Sequence, residues 1–327
     1  MNFRQLEQYF ITETSSLYDS EEAKHLFDII IEELTGWGRS ALLMRKEEEV
    51  PAAVQLRFDS VLKDINAGVP VQHIFAEAWF YGLKFKVNSS VLIPRPETEE
   101  LVEWILQDLT ARSAAASPAT LFSGVEQGLP AGNLPAVEHV QRTAEFAETT
   151  NNHSSVRILD IGTGSGCIAI SLQKFGTAVQ ADAVDVSPEA LATAQENALI
   201  NAVKVNFELT DILNVGSDPA GIRTSTYDVI VSNPPYIKAD ERSAMHQNVL
   251  DHEPHLALFV TNENPLIFYK TIADFALDHL EADGLLYFEI NEYLGAEMVD
   301  MVAAKGFKDI VLKQDMQGKD RMLRCRI

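Results

Sequence analysis

The sequence predicts an α/β fold, a doubly wound and mostly parallel seven-stranded sheet preceded by a small helical domain. Three observations carry this. From Val156 onward, short runs of β-forming apolar residues alternate with helical stretches, the pattern of a parallel sheet covered on both faces. A glycine-rich turn, Gly162-Thr163-Gly164-Ser165-Gly166, directly follows the first of those runs, where such sheets bind ligands. The first 70 or so residues instead carry apolar residues at helical spacing.

In chain order, Leu26, Ile30 and Leu34 with Phe27 and Ile31 form a broad apolar stripe that Gly36 stops. A second helix runs from about Val54 through Leu62 and Ile65 to a stop near Gly68. This region, residues 1–70, reads as a helical bundle that serves either packing alone or, through its outer face, docking of a substrate protein. Val69 to Val87 is dense in β-formers around Gly82 and predicts a hairpin, so residues 71–95 act as a linker. Its aromatics Trp79, Phe80, Tyr81 and Phe85 are expected in an interdomain core, and His73 is expected to be structural. Ile93-Pro94-Arg95-Pro96-Glu97-Thr98-Glu99-Glu100 then leads into a helix. Pro96 suits its first turn and the acids complement its dipole, whereas Arg95 between two prolines is harder to explain by capping, so Arg95 and Glu97 read either as functional or as structural residues.

Residues from about Ala111 to Ser155 lose apolar periodicity and read as a mobile insertion with a weak helical turn near Val137, Val140 and Ala144. Strands follow at Val156 to Ile161, Val179 to Val184, Val205 to Leu209 and Tyr227 to Ser232. Helices Gly166 to Phe175 and Pro188 to Ile200 separate the first three. A helix from about Pro265 to Leu280, the turn Asp283-Gly284, a strand Leu285 to Ile290 and a helix Leu294 to Lys305 come next. Phe307 to Leu312 and Met322 to Ile327, joined without a helix, predict an antiparallel pair at one edge.

Composition narrows the function classes. A net charge of −22, from 26 basic and 48 acidic residues, opposes nonspecific attraction to nucleic acid. No apolar run reaches the 18 or so residues of a membrane span, and the N-terminal Met1-Asn2-Phe3-Arg4-Gln5 lacks the apolar core of a signal peptide. A cytoplasmic monomer is expected. Cys167 and Cys325 have no metal-ligand spacing and are expected as reduced core residues; no metal site is expected.

The chemistry centres on Asn233-Pro234-Pro235-Tyr236, at the end of the strand Tyr227 to Ser232. Two prolines end the strand and leave the carbonyls of Asn233 and Pro234 without ladder partners. Beside a planar Asn carboxamide, these acceptors suit a substrate NH2 group, and Tyr236 offers an aromatic wall. The same stretch also reads as a simple strand-ending turn. Upstream, the glycines of Gly162-Thr163-Gly164-Ser165-Gly166 let a ligand lie against the backbone; their spacing differs from the G-x-G-x-x-G of dinucleotide sites. Asp185 ends the second strand, where a carboxylate takes ribose hydroxyls, or else caps the helix at Ser187-Pro188. Asp211 ends the third, within reach of an adenine amine, or else is an ordinary loop acid.

With Ile93-Pro94-Arg95-Pro96-Glu97-Thr98-Glu99, Asp160-Ile161-Gly162-Thr163-Gly164-Ser165-Gly166, Asp185 and Asn233-Pro234-Pro235-Tyr236, the chain resembles the class I S-adenosylmethionine-dependent methyltransferases. More narrowly, it resembles the HemK/PrmC family of glutamine N5-methyltransferases acting on peptide-chain release factors. The resemblance implies a Rossmann-like methyltransferase domain over 96–327 and methylation of the Gln in a Gly-Gly-Gln loop. It implies that Gly162, Thr163, Gly164, Ser165, Gly166, Asp185, Asp211 and Asn233 hold S-adenosylmethionine. Asn233, Pro234, Pro235 and Tyr236, with Arg95 and Glu97, would hold the substrate, with Asn233, Pro234 and Tyr236 the catalytic set. Two departures stand out: Ile212 follows Asp211 where some members carry an aromatic, and the insertion is long. The competing classes are a nucleic-acid adenine methyltransferase using the same Asn-Pro-Pro-Tyr, a nicotinamide dehydrogenase and a non-catalytic cofactor scaffold. His252 and His255 are expected in solvated loop positions.

Overall fold

The computed structural model describes residues 1–116, 155–217, 222–244 and 247–327. Five helices open the chain: α1 (Phe3–Glu13), α2 (Ser20–Thr35), α3 (Arg39–Met44), α4 (Ala52–Asn66) and α5 (Val71–Phe75). Asn2 and Gln5 form a reciprocal capping box on α1, and Gly36 ends α2 in the left-handed region at φ 73°. The expected stripe is the buried one, with Phe27, Ile30 and Ile31 meeting Phe3, Leu6 and Phe10 of α1 and Phe58 of α4. The edge-on rings of Phe10, Phe27 and Phe58 form the centre of that core.

The hairpin exists but is shorter than expected: β1 (Glu77–Phe80) pairs antiparallel with β2 (Leu83–Lys86). Val71 to Phe75 is helical instead, because Pro70 sits at a helix entry and β propensity yields to such local constraints. Phe80 and Phe85 are buried as expected, whereas Trp79 is 65% exposed. With Ala78 and Phe80 facing inward, strand alternation turns Trp79 out to solvent beside the Lys84 ammonium.

Next come α6 (Pro96–Ala116), β3 (Val156–Ile161), α7 (Cys167–Phe175), β4 (Val179–Asp185), α8 (Pro188–Ile200), β5 (Asn206–Leu209) and β6 (Tyr227–Ser232). The short pieces β7 (Ile237–Lys238), α9 (Gln247–His252), α10 (His255–Leu258) and β8 (Phe259–Val260) precede α11 (Ile267–His279), β9 (Leu280–Glu289), α12 (Gly295–Ala304), β10 (Lys308–Gln314) and β11 (Asp320–Arg326). α6 runs through Ala111 to Ala116, where fading apolar periodicity predicts the start of the insertion. The rest of that segment, with the turn near Val137, lies outside the described residues except for Ser155.

The seven-stranded sheet has the order β10-β11-β9-β6-β3-β4-β5, with β6 in the middle. β9, β6, β3, β4 and β5 run parallel, while β11 is antiparallel to both β9 and β10, the expected edge pair. Asp283-Gly284 makes no chain-reversing turn. The strand continues through it with Asp283 at φ 64° while its register against β6 shifts, the behaviour of a bulge. Alternate strand residues supply two cores. Leu159, Ile230, Leu286 and Phe288 face α11 and α12, and Ile158, Val229, Val231 and Tyr287 face α6 and α7. Helices on both faces of a mostly parallel sheet make this a Rossmann-like fold. The hairpin is fastened to α8, where Asn197 accepts from the Lys86 N–H at 2.6 Å and donates to its carbonyl at 3.0 Å.

Candidate functional site

From β3 the chain winds outward through β4 to β5, then returns to β6 on the other side of β3. That reversal leaves a crevice at the carboxyl ends of β3 and β6, where open α/β sheets bind ligands. A cavity of about 290 Å³ opens there.

The loop after β3 forms its floor. Gly162, Gly164 and Gly166 all have positive φ (75°, 54° and 81°), so the turn requires residues without a side-chain penalty. Their surroundings differ. A Cβ on Gly162 or Gly164 would meet no atom within 4 Å, and both residues line the cavity with Thr163 and Ser165. A Cβ on Gly166 would lie 2.8 Å from Ile170 Cδ1 and 3.1 Å from Ala194 Cβ. Gly166 therefore lies outside the cavity lining: it starts α7 and lets α8 pack close. Beneath the loop, the fully buried Asp160 accepts from Thr163 Oγ1 at 2.7 Å and from the Ala169 N–H, and burial pushes its carboxyl up to about 7.

Asp185 closes β4 at the cavity wall. Its oxygens accept from the Gly164 N–H at 2.8 Å and the Ser187 N–H at 2.9 Å, while Ser187 itself caps α8. Burial pushes the Asp185 carboxyl up and those backbone donors draw it back. Asp211 also lines the cavity and accepts from the Leu213 N–H and Asn214 Nδ2. The neighbouring Ile212, 8% exposed, adds an aliphatic wall.

On the opposite side, Asn233, Pro234 and Pro235 line the cavity beyond β6. Asn233 Nδ2 donates to Thr98 Oγ1 at 3.3 Å, which leaves its Oδ1 as the group for a ligand. Among the described residues, no backbone N–H is hydrogen bonded to the Asn233 or Pro234 carbonyl. Tyr236 lies apart from the cavity lining. Its hydroxyl donates to Glu289 Oε1 at 3.3 Å, and its ring packs against the core beneath α11 and α12.

Arg95 and Pro94 also line the cavity. Arg95 donates to Glu253 Oε1 at 2.6 Å, and Glu253 is only 4% exposed and also accepts from the Ile93 N–H. The pair anchors the stretch whose Pro254, Leu256 and Ala257 complete the lining. Glu97, in the first turn of α6, is outside the lining; burial pushes the Glu289 carboxyl up, and the charge of Glu97 adds to the rise. His255 is exposed against Phe259, and Cys167 is a half-buried wall of the cavity rather than a core residue; Cys325 is buried as expected.

Sequence reasoning missed Thr98, Glu253 and Glu289. Thr98 sits in the quoted signature without an assigned role, and Glu289 is a lone carboxylate in the apolar run Leu285-Leu286-Tyr287-Phe288-Glu289-Ile290, which is itself a signal. Glu253 had none beyond an acid between the histidines.

Family models match the chain twice, as a methyltransferase small domain over residues 140–257 and as a PrmC N-terminal domain over residues 13–75. The release factor glutamine methyltransferase of Flavobacterium psychrophilum is 38% identical over 96% of this chain and 95% of its own length. That of Bacteroides thetaiotaomicron is 35% identical over 96% of each chain, and that of Lactococcus lactis is 38% identical over 80% of this chain and 79% of its own. With identity at this level over nearly its whole length, the chain belongs to the release factor glutamine methyltransferase family.

Proposed function

We propose that this protein transfers a methyl group from S-adenosylmethionine to the side-chain amide nitrogen of the Gln in the Gly-Gly-Gln loop of peptide-chain release factors. The observation that carries the reading is that one cavity is bounded by the β3 glycine loop on one side and by Asn233-Pro234-Pro235 on the other. The first suits an adenosyl group: Gly162 and Gly164 leave open space where a Cβ would stand, and Asp185 presents a carboxylate at the end of the second strand. Gly162 to Ser165, Asp185, Asp211 and Ile212 would hold the cofactor, which supplies a methyl group bonded to a positively charged sulfur.

The obstacle lies in the nucleophile, since an amide nitrogen shares its lone pair with the carbonyl. Asn233 Oδ1 and the Pro234 carbonyl accept the two N–H bonds, aim the nitrogen and stabilise the positive charge that grows on it. Well-oriented approach contributes roughly 7–11 kcal/mol in the best intramolecular cases. Each preorganised dipole adds about 2.7–4 kcal/mol by analogy with oxyanion holes. The alkylated amide is acidic enough to release its proton to solvent, so neither a general base nor a metal enters. Tyr236 supports the loop from behind through Glu289.

Residues 1–70 serve as the docking surface for the factor, 71–95 as the linker and 96–327 as the catalytic unit, working as a cytoplasmic monomer. The net charge of −22 favours a protein substrate over nucleic acid, and among the described residues no helix is long and apolar enough to cross a membrane. The test is to incubate the protein with labelled S-adenosylmethionine and, in parallel, a release factor, its Gln-substituted variant and duplex DNA. Label on the intact factor alone is expected; label on DNA would favour an adenine-amine substrate and refute the reading.

A further inference from the structure

We propose that Thr98 and Glu289 are positioning residues that hold the Asn233 carboxamide with its oxygen toward the substrate, through a relay whose donor and acceptor directions are fixed. The inference rests on the proposed glutamine methylation and adds what sets the orientation of Asn233.

An Asn carboxamide is nearly symmetric in shape, and turned over it would offer the substrate a donor where an acceptor is needed. The fold supplies a device against this. β6 and β9 are parallel neighbours with Ser232 opposite Phe288, so Asn233 and Glu289, one residue further along each, come side by side. Continuing the alternation of Val229 and Val231, and of Leu285 and Tyr287, both fall on the face covered by α6. Thr98, in the first turn of α6 and 2% exposed, lies between them.

The polarity then follows link by link. Glu289 is 1% exposed, and as a carboxylate it only accepts. Two hydroxyls converge on its separate oxygens: Thr98 Oγ1 donates to Oε2 at 2.6 Å and Tyr236 donates to Oε1 at 3.3 Å. With its one hydrogen spent on Glu289, Thr98 has only lone pairs for Asn233, whose Nδ2 donates to it at 3.3 Å. The amide end of Asn233 is thereby assigned to Thr98 and Oδ1 to the cavity. Burial pushes the Glu289 carboxyl up and Glu97 adds to the rise, while the Thr98 hydroxyl, Arg321 and the Tyr236 hydroxyl favour its charged form.

The test compares Thr98→Ser, which keeps the hydroxyl, Thr98→Val, which keeps the shape without it, and Glu289→Gln, which leaves a single acceptor oxygen for the two hydroxyls of Thr98 and Tyr236. Methylation of a release factor is followed for kcat and KM, S-adenosylmethionine binding by calorimetry, and folding by thermal denaturation. Thr98→Val and Glu289→Gln are expected to lower kcat by about 10- to 100-fold, the range for outer partners that orient a functional ligand. Cofactor affinity should hold, Thr98→Ser should recover most of kcat, and the double variant should be no slower than the slower single one. Should Glu289→Gln not fold, the Ser and Val pair decides. A Thr98→Val protein as fast as the wild type overturns the relay alone. So does one whose losses in kcat, cofactor affinity and melting temperature run in parallel, since that marks a packing role. A wild-type protein that moves no label onto the factor overturns the relay and the proposed function together.

Discussion

Replacing each glycine of the β3 loop by alanine should separate two roles that the spacing alone merges. All three occupy the left-handed region, so each substitution carries a backbone penalty of roughly 1–2 kcal/mol. At Gly166 the new methyl also meets Ile170 Cδ1 at 2.8 Å and Ala194 Cβ at 3.1 Å, between α7 and α8. Overpacking of that kind adds about 1–3 kcal/mol, for a total of about 2–5 kcal/mol. With about 2–4 °C of melting temperature per kcal/mol in a domain of this size, Gly166→Ala should melt at least about 4 °C below the wild type. At Gly162 and Gly164 no atom lies within 4 Å of the added carbon, so the stability loss stops at the backbone penalty and the methyl enters the space assigned to the cofactor. Differential scanning calorimetry and titration with S-adenosylmethionine read the two effects separately. Gly166→Ala should fall mainly in melting temperature, and Gly162→Ala and Gly164→Ala mainly in affinity. A Gly166→Ala protein of wild-type stability, or Gly162→Ala and Gly164→Ala proteins of wild-type affinity, would refute the division.

Three further outcomes are expected. Asp185→Ala should weaken S-adenosylmethionine binding by roughly 10- to 150-fold, since hydrogen bonds to a charged group are worth about 1.5–3 kcal/mol each; calorimetric titration measures it. Arg95→Met leaves Glu253 buried with only the Ile93 N–H. Because Arg95 is itself partly exposed, the loss should be about 1–3 kcal/mol in urea denaturation, below the 3–5 kcal/mol of a fully buried pair, with a raised KM for S-adenosylmethionine because Leu256 and Ala257 share that anchor. Burial pushes the Asp160 carboxyl up to about 7 in the folded chain against an ordinary 3.8, so the folded state binds its proton more tightly. The stability this contributes is full below about pH 4, is lost as pH rises to about 7 and stays lost above. At about 1.36 kcal/mol per unit the decline amounts to roughly 4 kcal/mol. The melting-temperature difference between wild type and Asp160→Asn should change across that window, and a difference independent of pH would refute it.

The sheet was legible because its strands are short, β-rich runs bounded by Gly, Pro and Asp, and because the missing helix between Lys308–Gln314 and Asp320–Arg326 forces an antiparallel pair. Where local signals compete, the tertiary fold overrides them. Asp283-Gly284 looks like a turn but is absorbed as a bulge in β9, and Trp79 belongs to an aromatic cluster yet sits on the outward phase of a four-residue strand. The cofactor side of the site was readable since its residues close consecutive strands. The far side depends on pairings that no spacing encodes, Thr98 with Glu289 at 191 residues and Arg95 with Glu253 at 158. Tyr236 follows the same logic. Its position beside Asn-Pro-Pro suggested a substrate wall, but the buried Glu289 offers its hydroxyl an acceptor on the protein side.

The central claim is that the acceptors of the β6 loop catch a carboxamide and turn its nitrogen to the methyl donor. Mass spectrometry of a release factor after reaction with wild type and with Asn233→Ala tests it most directly. A single added methyl on the Gly-Gly-Gln glutamine is expected with the wild type. A kcat about 100- to 1000-fold lower is expected for the variant, the cost of removing one preorganised dipole. A methyl on any other residue, or an Asn233→Ala protein that works at the wild-type rate, would contradict it.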